Sequence, residues 1–163
     1  VRVARSDADL EAIAAITTAV TPDDPLTLAE IRWAEATYPG GTRFAAELDG
    51  RLVGAGSTGR IYMYPPEFPA FWASFEVLAD ARGRGVGTAL LGRLIVLCEA
   101  LGYRQLIAVI GDSGNAASIA LHARLGFVRA GNLRSAGYKF GRWVDSVLMQ
   151  RPLGQGDMTP PAT

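Results

Sequence analysis

A mixed α/β sheet with helices on its faces is the fold class this sequence predicts. Three observations carry the prediction. Segments of helical period take turns with short apolar runs along the whole chain. Asp49-Gly50 stands between two extended runs, the residue pair of a tight hairpin, so part of the sheet is antiparallel. Arg82-Gly83-Arg84-Gly85-Val86-Gly87 lies between a strand-like run and a helix-like one. Glycines at every second position leave the backbone without Cβ atoms just where a helix begins.

Taken in order, Val1 to Ala4 reads as a short strand. Ser6 or Asp7 caps a helix that runs to about Val20, with Leu10, Ile13 and Ile16 on one face. Thr21-Pro-Asp-Asp-Pro25 breaks it. A second helix, Thr27 to Tyr38, offers Leu28, Ile31 and Trp33 for burial and stops at Pro39-Gly-Gly41. Arg43 to Leu48 and Arg51 to about Tyr62 form the hairpin, Tyr64 to Pro69 a loop, and Trp72 to Ala79 a third extended run. After the glycines a helix carries Val86, Leu90, Leu94 and Leu97 on one stripe, and Gly102 ends it. Gln105 to Ile110 is apolar almost throughout, as expected of a strand buried on both faces. Asn115 to Leu125 is a helix stopped by Gly126; Phe127 to Ala130 and Trp143 to Met149 are the last strands. The tail from Pro152, rich in Pro, Gly and Thr, is expected to be disordered. The reading is one domain over residues 1–151 with no repeat.

The bulk numbers exclude several classes. With 49% hydrophobic and 20% charged residues the chain suits a globular protein with a core, and zero formal charge favours neither nucleic acid nor an anionic membrane. No apolar run is long enough to span a bilayer, and no signal peptide is seen. One cysteine, Cys98, allows no internal disulfide and fits the cytoplasm; with one histidine, His122, it argues against a metal centre. Cys98 falls on the apolar face of its helix and reads as core.

The glycine segment is a phosphate cradle in character: bare N–H groups at a helix start, with two arginines beside them. No Gly-Lys-Ser/Thr follows, so it is not a Walker loop, and its G-x-G-x-G spacing is not the dinucleotide fingerprint. A plain glycine-rich entry into a helix is the bland alternative.

Arg82 to Gly87 after a strand, then a long helix, an apolar strand, Asn115 and Leu125-Gly126-Phe127 together resemble the GNAT acetyltransferases. The later half is similar to the phosphinothricin-type N-acetyltransferases in Ala108-Val-Ile-Gly111, Ser118-Ile119, Leu121-His122, Gly131-Asn-Leu133, Gly137 to Gly141, Trp143 and Asp145; upstream of Phe75 the match fades. The resemblance implies a GNAT fold: a mixed, mostly antiparallel sheet of about 6–7 strands with about four helices. It implies acetyl-CoA as donor, no metal, a small-molecule primary amine such as an amino acid or its analogue as acceptor, and a homodimer. A peptide or protein N-acetyltransferase and a non-catalytic acyl-CoA-binding protein are the alternatives.

On that resemblance the cofactor contacts are Val77, Leu78, Ala79, Arg82, Gly83, Arg84, Gly85, Val86, Gly87, Thr88, Asn115 and Ser118. Backbone groups of Glu76 to Ala79 and Ile107 to Gly111 would flank pantetheine, and the N–H near Val77 would polarise the thioester carbonyl. Arg84 reads equally as a solvated arginine, and Asn115 equally as a helix cap. His122 stands where the phosphinothricin group has a histidine, suited to giving or taking a proton near pH 7, and reads equally as a packed or exposed helix residue. The Glu those enzymes carry earlier in the strand is replaced by Trp72. Glu76, four residues on and on the same face of the strand, is a candidate for the base, directly or through water, and reads otherwise as an exposed strand carboxylate; Glu67 is a weaker candidate. Tyr62, Tyr64, Phe71 and Trp72 are candidates for an acceptor pocket or for packing, and Lys139 to Asp145 for support, an acceptor site or a dimer contact.

Overall fold

A computed structural model describes residues 1–22, 25–37, 42–60, 70–156 and 158–160. Tyr62, Tyr64, Glu67, the loop up to Pro69 and the Pro39-Gly41 helix stop lie outside them, as do the side chains of Phe71 and Trp72. The chain forms two compact units, residues 1–59 with 75–94, and residues 60–74 with 95–163.

The first unit starts with strand β1 (Arg2–Val3) and helix α1 (Asp7–Val20). Ser6 caps α1 by accepting from the Asp9 N–H, and Asp9 answers by accepting from the Ser6 N–H, a reciprocal capping box. Arg2 grips Asp9 through both carboxylate oxygens at 2.7 and 2.6 Å. Helix α2 (Leu28–Thr37) follows; its Ile31 is fully buried, but Trp33 is 63% exposed, contrary to the expectation of burial. In so short a helix the buried stripe is narrow, and Trp33 stands two residues, about 200°, from Ile31. Leu10, Ile13, Ala14, Ile16 and Ile31 pack with Ala55 as one cluster.

Strands β2 (Thr42–Leu48) and β3 (Arg51–Arg60) pair antiparallel through Asp49-Gly50. Both turn residues are left-handed, at φ 53° and 76°, the geometry a two-residue hairpin of this hand demands. In hydrogen-bonding order the unit runs β1, β2, β3 and the end of β4 (Ala70–Val77). Helix α3 (Val86–Ala100) begins in this unit, with Val86, Leu90, Leu91 and Leu94 buried. A Cβ on Gly54 of β3 would come within 2.9 Å of Leu90 Cδ1, 3.2 Å of Val86 Cγ1 and 3.1 Å of the Glu76 carbonyl oxygen. Glycine lets the first turns of α3 settle close to the strand without displacing these neighbours.

The second unit has the order β4, β5 (Gln105–Gly111), β7 (Arg142–Pro152), β6 (Val128–Lys139), with α4 (Ala116–Arg124) between β5 and β6. Strand β5 pairs parallel with β4 from Ala70↔Gln105 to Ala73↔Ala108 and antiparallel with β7 along its whole length. Its burial corrects the sequence expectation: Leu106, Ala108 and Ile110 are core, whereas Val109 is 44% exposed. The strand pleat divides even a wholly apolar run between two faces. Strand β6 is far longer than expected, because residues 130–139 continue it along β7 to a second left-handed turn at Phe140-Gly141 (φ 55° and 70°). The expected disordered tail is anchored at its start: Leu153 is buried, and Arg104 donates to the Gly156 carbonyl at 2.6 Å and the Pro160 carbonyl at 3.0 Å.

Two outcomes follow. Gly54→Ala should cost about 1–3 kcal/mol through overpacking, read as a lower urea midpoint at unchanged slope. Arg2, with further bonds from the Arg5 and Ser6 N–H groups, holds the Asp9 carboxyl well below the usual carboxylate range. Because that pKa is depressed on folding, the stability it contributes is present above about pH 4 and lost as pH falls through the folded value. The stability difference between the wild type and Asp9→Asn should therefore be constant near neutrality and shrink in acid.

Candidate active site

In the first unit, strand β4 hands over to α3 through a short 3-10 turn, Ala79–Ala81, and the glycine segment. Gly83 and Gly85 sit at φ 73° and 80°, where an L side chain is strained, while Gly87 is already helical. A Cβ at either of the first two would meet open space, so it is the backbone conformation that asks for glycine. Ala89 is bonded to the Gly85 carbonyl at 3.0 Å. By helix geometry the N–H groups of Val86, Gly87 and Thr88 lie ahead of the first intrahelical acceptor. No acidic side chain stands in the first turn of α3 to occupy that positive end. The arrangement suits a pyrophosphate, drawn by the equivalent of about half a positive charge.

The two arginines have other attachments. Arg82 donates from Nε to the Val77 carbonyl at 3.2 Å, and Arg84 pairs with Asp49 of the hairpin turn at 3.1 Å. Arg51 pairs likewise with Asp80, so hairpin and glycine loop are tied twice. These exposed pairs are weak and can be shared with a phosphate.

Leu78 donates its N–H to the Val53 carbonyl at 2.9 Å. Among the backbone groups expected to meet the cofactor, that one is already committed to β3. Alternation along the strand then turns the Val77 N–H away from β3, the orientation an oxyanion donor needs. Glu76, half-buried, accepts a 2.6 Å hydrogen bond at Oε2 from Thr17 Oγ1 of α1. Sequence reasoning missed Thr17; a threonine 59 residues away on another element carries no local signal.

In the second unit Asn115 caps α4, its Oδ1 accepting from the Ser118 N–H at 3.2 Å. His122 is 3% exposed and lies edge-on to Phe127, with ring centroids 5.1 Å apart. Its Nδ1 is 2.8 Å from the Ser118 carbonyl, which can only accept, so the proton of the neutral ring sits on Nδ1. Burial pushes the imidazole below its usual value, with the Ser118 bond opposing that more weakly. A neutral ring in this tautomer has no proton at Nε2 to give, which favours the accepting role over the donating one.

The segment Lys139 to Asp145 contains a scaffold. Asp145 accepts from Ser113 Oγ at 3.1 Å, Asn132 Nδ2 at 2.9 Å and the Ser135 N–H at 3.0 Å, and its carbonyl takes the Asp112 N–H at 2.7 Å. Asp112, left-handed at φ 74°, holds Arg142 and the Gly114 N–H. The loop that delivers Asn115 to α4 is thereby clamped to the β6–β7 hairpin. Cys98 is core, its thiol pushed up to about 11 by burial, with Glu99 adding to the shift. Among the described residues no group of three or more His, Cys, Asp or Glu side chains is placed to hold a metal ion. None of the described helices is long and apolar enough to cross a membrane.

The profile of the acetyltransferase (GNAT) family matches residues 10–127. This chain belongs to the GNAT acetyltransferase family. It is an acetyl-CoA-dependent acyltransferase with the α/β fold of that family. It is 45% identical to a phosphinothricin N-acetyltransferase of Alcaligenes faecalis, over 99% of this chain and 86% of the relative. It is 38% identical to an L-methionine sulfoximine/L-methionine sulfone acetyltransferase of Pseudomonas aeruginosa, over 88% of each. Among solved structures, a phosphinothricin acetyltransferase from Sinorhizobium meliloti in complex with acetyl-CoA superposes with a TM-score of 0.85 at 35% identity, covering 99% of this chain and 91% of that one. The likeness extends over the early residues, where the motifs themselves fade.

His122 gives the site a pH signature. Its pKa is depressed on folding, so the unfolded chain takes up the proton first and stability falls as pH drops below about 6.5. Between about pH 7.5 and 5.5 the melting temperature of His122→Gln should fall less than that of the wild type.

Proposed function

We propose that this GNAT enzyme acetylates the primary amine of a small amino-acid analogue, of the phosphinothricin or methionine sulfone kind, by direct attack on acetyl-CoA. The observation that carries this reading is the 45% identity to a phosphinothricin N-acetyltransferase along nearly the full chain.

The N–H groups of Gly83 to Thr88 take the pyrophosphate, that of Arg82 being committed to the Ala79 carbonyl at 3.3 Å, and the side chains of Arg82 and Arg84 add charge from the side. Backbone of Val77 to Ala79 lies along pantetheine, with the Leu78 N–H kept by β3. The Val77 N–H receives the thioester oxygen as it becomes an oxyanion. Glu76 takes a proton from the acceptor ammonium. The amine nitrogen then bonds to the carbonyl carbon, the C–S bond breaks, and the sulfur leaves with its electron pair and takes up the second proton that the nitrogen sheds on becoming an amide. Asn115 and Ser118 are assigned to the cofactor, and His122 to proton acceptance, on the resemblance and on the tautomer that the Ser118 carbonyl selects. Residues 1–151 act as one catalytic domain. A cytoplasmic location accords with the single, buried Cys98. A homodimer accords with the exposed ridge of Tyr138, Phe140 and Trp143 on the β6–β7 hairpin.

Acetyl-CoA at about 100 times its dissociation constant should add roughly 2.7 kcal/mol of stability, visible as a raised melting temperature. Gly87→Trp should remove that shift by filling the cradle. A thiol-release assay over phosphinothricin, L-methionine sulfone, an aminoglycoside and a short peptide should show turnover with the first two. Turnover with the peptide alone would overturn the acceptor assignment.

A further inference from the structure

We propose that Thr17 is the positioning residue for the Glu76 carboxylate in acetyl transfer; this rests on the reading of Glu76 as the base. An ionised carboxylate can only accept, so in the 2.6 Å contact the Thr17 hydroxyl donates to Oε2. A threonine within a helix can turn its hydroxyl back to the carbonyl four residues earlier. Thr17 instead spends it on another element.

The platform under that hydroxyl is firmly held. The Thr17 carbonyl accepts from both the N–H and the Oγ1 of Thr21, each at 2.8 Å, which closes the last turn of α1. The neighbouring Thr18 accepts from the Leu26 N–H at 3.1 Å and so pins the segment that follows the helix. At its other end α1 is fixed by the Ser6–Asp9 capping box and by Arg2. A donor on so fixed a helix stops the terminal rotation of the glutamate, a torsion that is otherwise broad. With Oε2 held, the acceptor's proton goes to Oε1. The amine nitrogen, relieved of that proton, attacks the thioester carbon; the C–S bond then opens, and the departing sulfur takes the nitrogen's second proton.

The experiment is a double-mutant cycle on the full chain, with acetyl-CoA and phosphinothricin or L-methionine sulfone as probes. Glu76→Gln should lower kcat by about 10²–10⁴-fold. Thr17→Val, which keeps the shape and removes the hydroxyl, should lower kcat about tenfold, the scale of one lost hydrogen bond, with the KM for acetyl-CoA little changed. Thr17→Ser should restore kcat to near the wild-type value. The double variant should be no slower than Glu76→Gln, since a positioner has nothing left to position. Melting temperatures check folding, and Thr17→Ala serves should the valine variant not fold.

Full activity in Thr17→Val beside an impaired Glu76→Gln would overturn the role of Thr17 and leave the base assignment standing. So would additive losses in the double variant, or no rescue by serine. Full activity in Glu76→Gln would remove the base assignment and this proposal with it.

Discussion

Residue 54 has no side chain, and the packing of α3 against β3 depends on that. Strand β3 meets the first two turns of α3 at Gly54, where a Cβ would press on Leu90, Val86 and the Glu76 carbonyl and force them to give way. The same glycine faces the carbonyl of Glu76, so strand β4 shares the approach. Where α3 sits decides where its unsatisfied N–H groups point, and therefore where a pyrophosphate can be held. Interiors are packed too closely for such an approach to be made up elsewhere. The left-handed Gly83 and Gly85 then connect the two elements in a few residues.

Around this contact, the first unit fits its polar groups to one direction of traffic. Leu78 gives its N–H to β3, which leaves that of Val77 turned the other way. Arg82 closes back on the Val77 carbonyl, and Arg84 and Arg51 bind the acidic partners Asp49 and Asp80. The hairpin turn between β2 and β3 thus supports the glycine loop as well as connecting two strands. Glu76 is fixed from the other side by α1. The proposed base, oxyanion donor and phosphate cradle follow one another closely along the chain, each with its geometry set by a different neighbour.

The second unit applies the same logic to α4. Its start is capped by Asn115, and the preceding loop is clamped by Asp112 and Asp145 to a long hairpin that the sequence shows only in pieces. Gly131 and Gly137 and the left-handed Ser135 interrupt the apolar pattern of β6, so periodicity ends the strand too early. Pairing with β7 carries it through those interruptions, because a bulged strand keeps a ladder that its side chains do not advertise. Trp33 and Val109 teach a related lesson. Being apolar does not decide burial; the face does, and the face belongs to the neighbour.

What the sequence determined by itself was the class of fold, the donor and the glycine turn that leads from β4 into α3. Asp49-Gly50, Ser6 with Asp9, the alternate glycines after a strand and Leu125-Gly126-Phe127 are local signals, since turns, caps and left-handed residues are fixed by a few adjacent atoms. The tertiary structure decided the rest. It gave Glu76 its hydroxyl partner from α1, committed the Leu78 N–H to β3, and buried His122 as a neutral ring whose tautomer a carbonyl selects. Each of these depends on residues far apart in the chain. Proton chemistry responds to burial and to hydrogen-bond partners, and both exist only once the chain has packed.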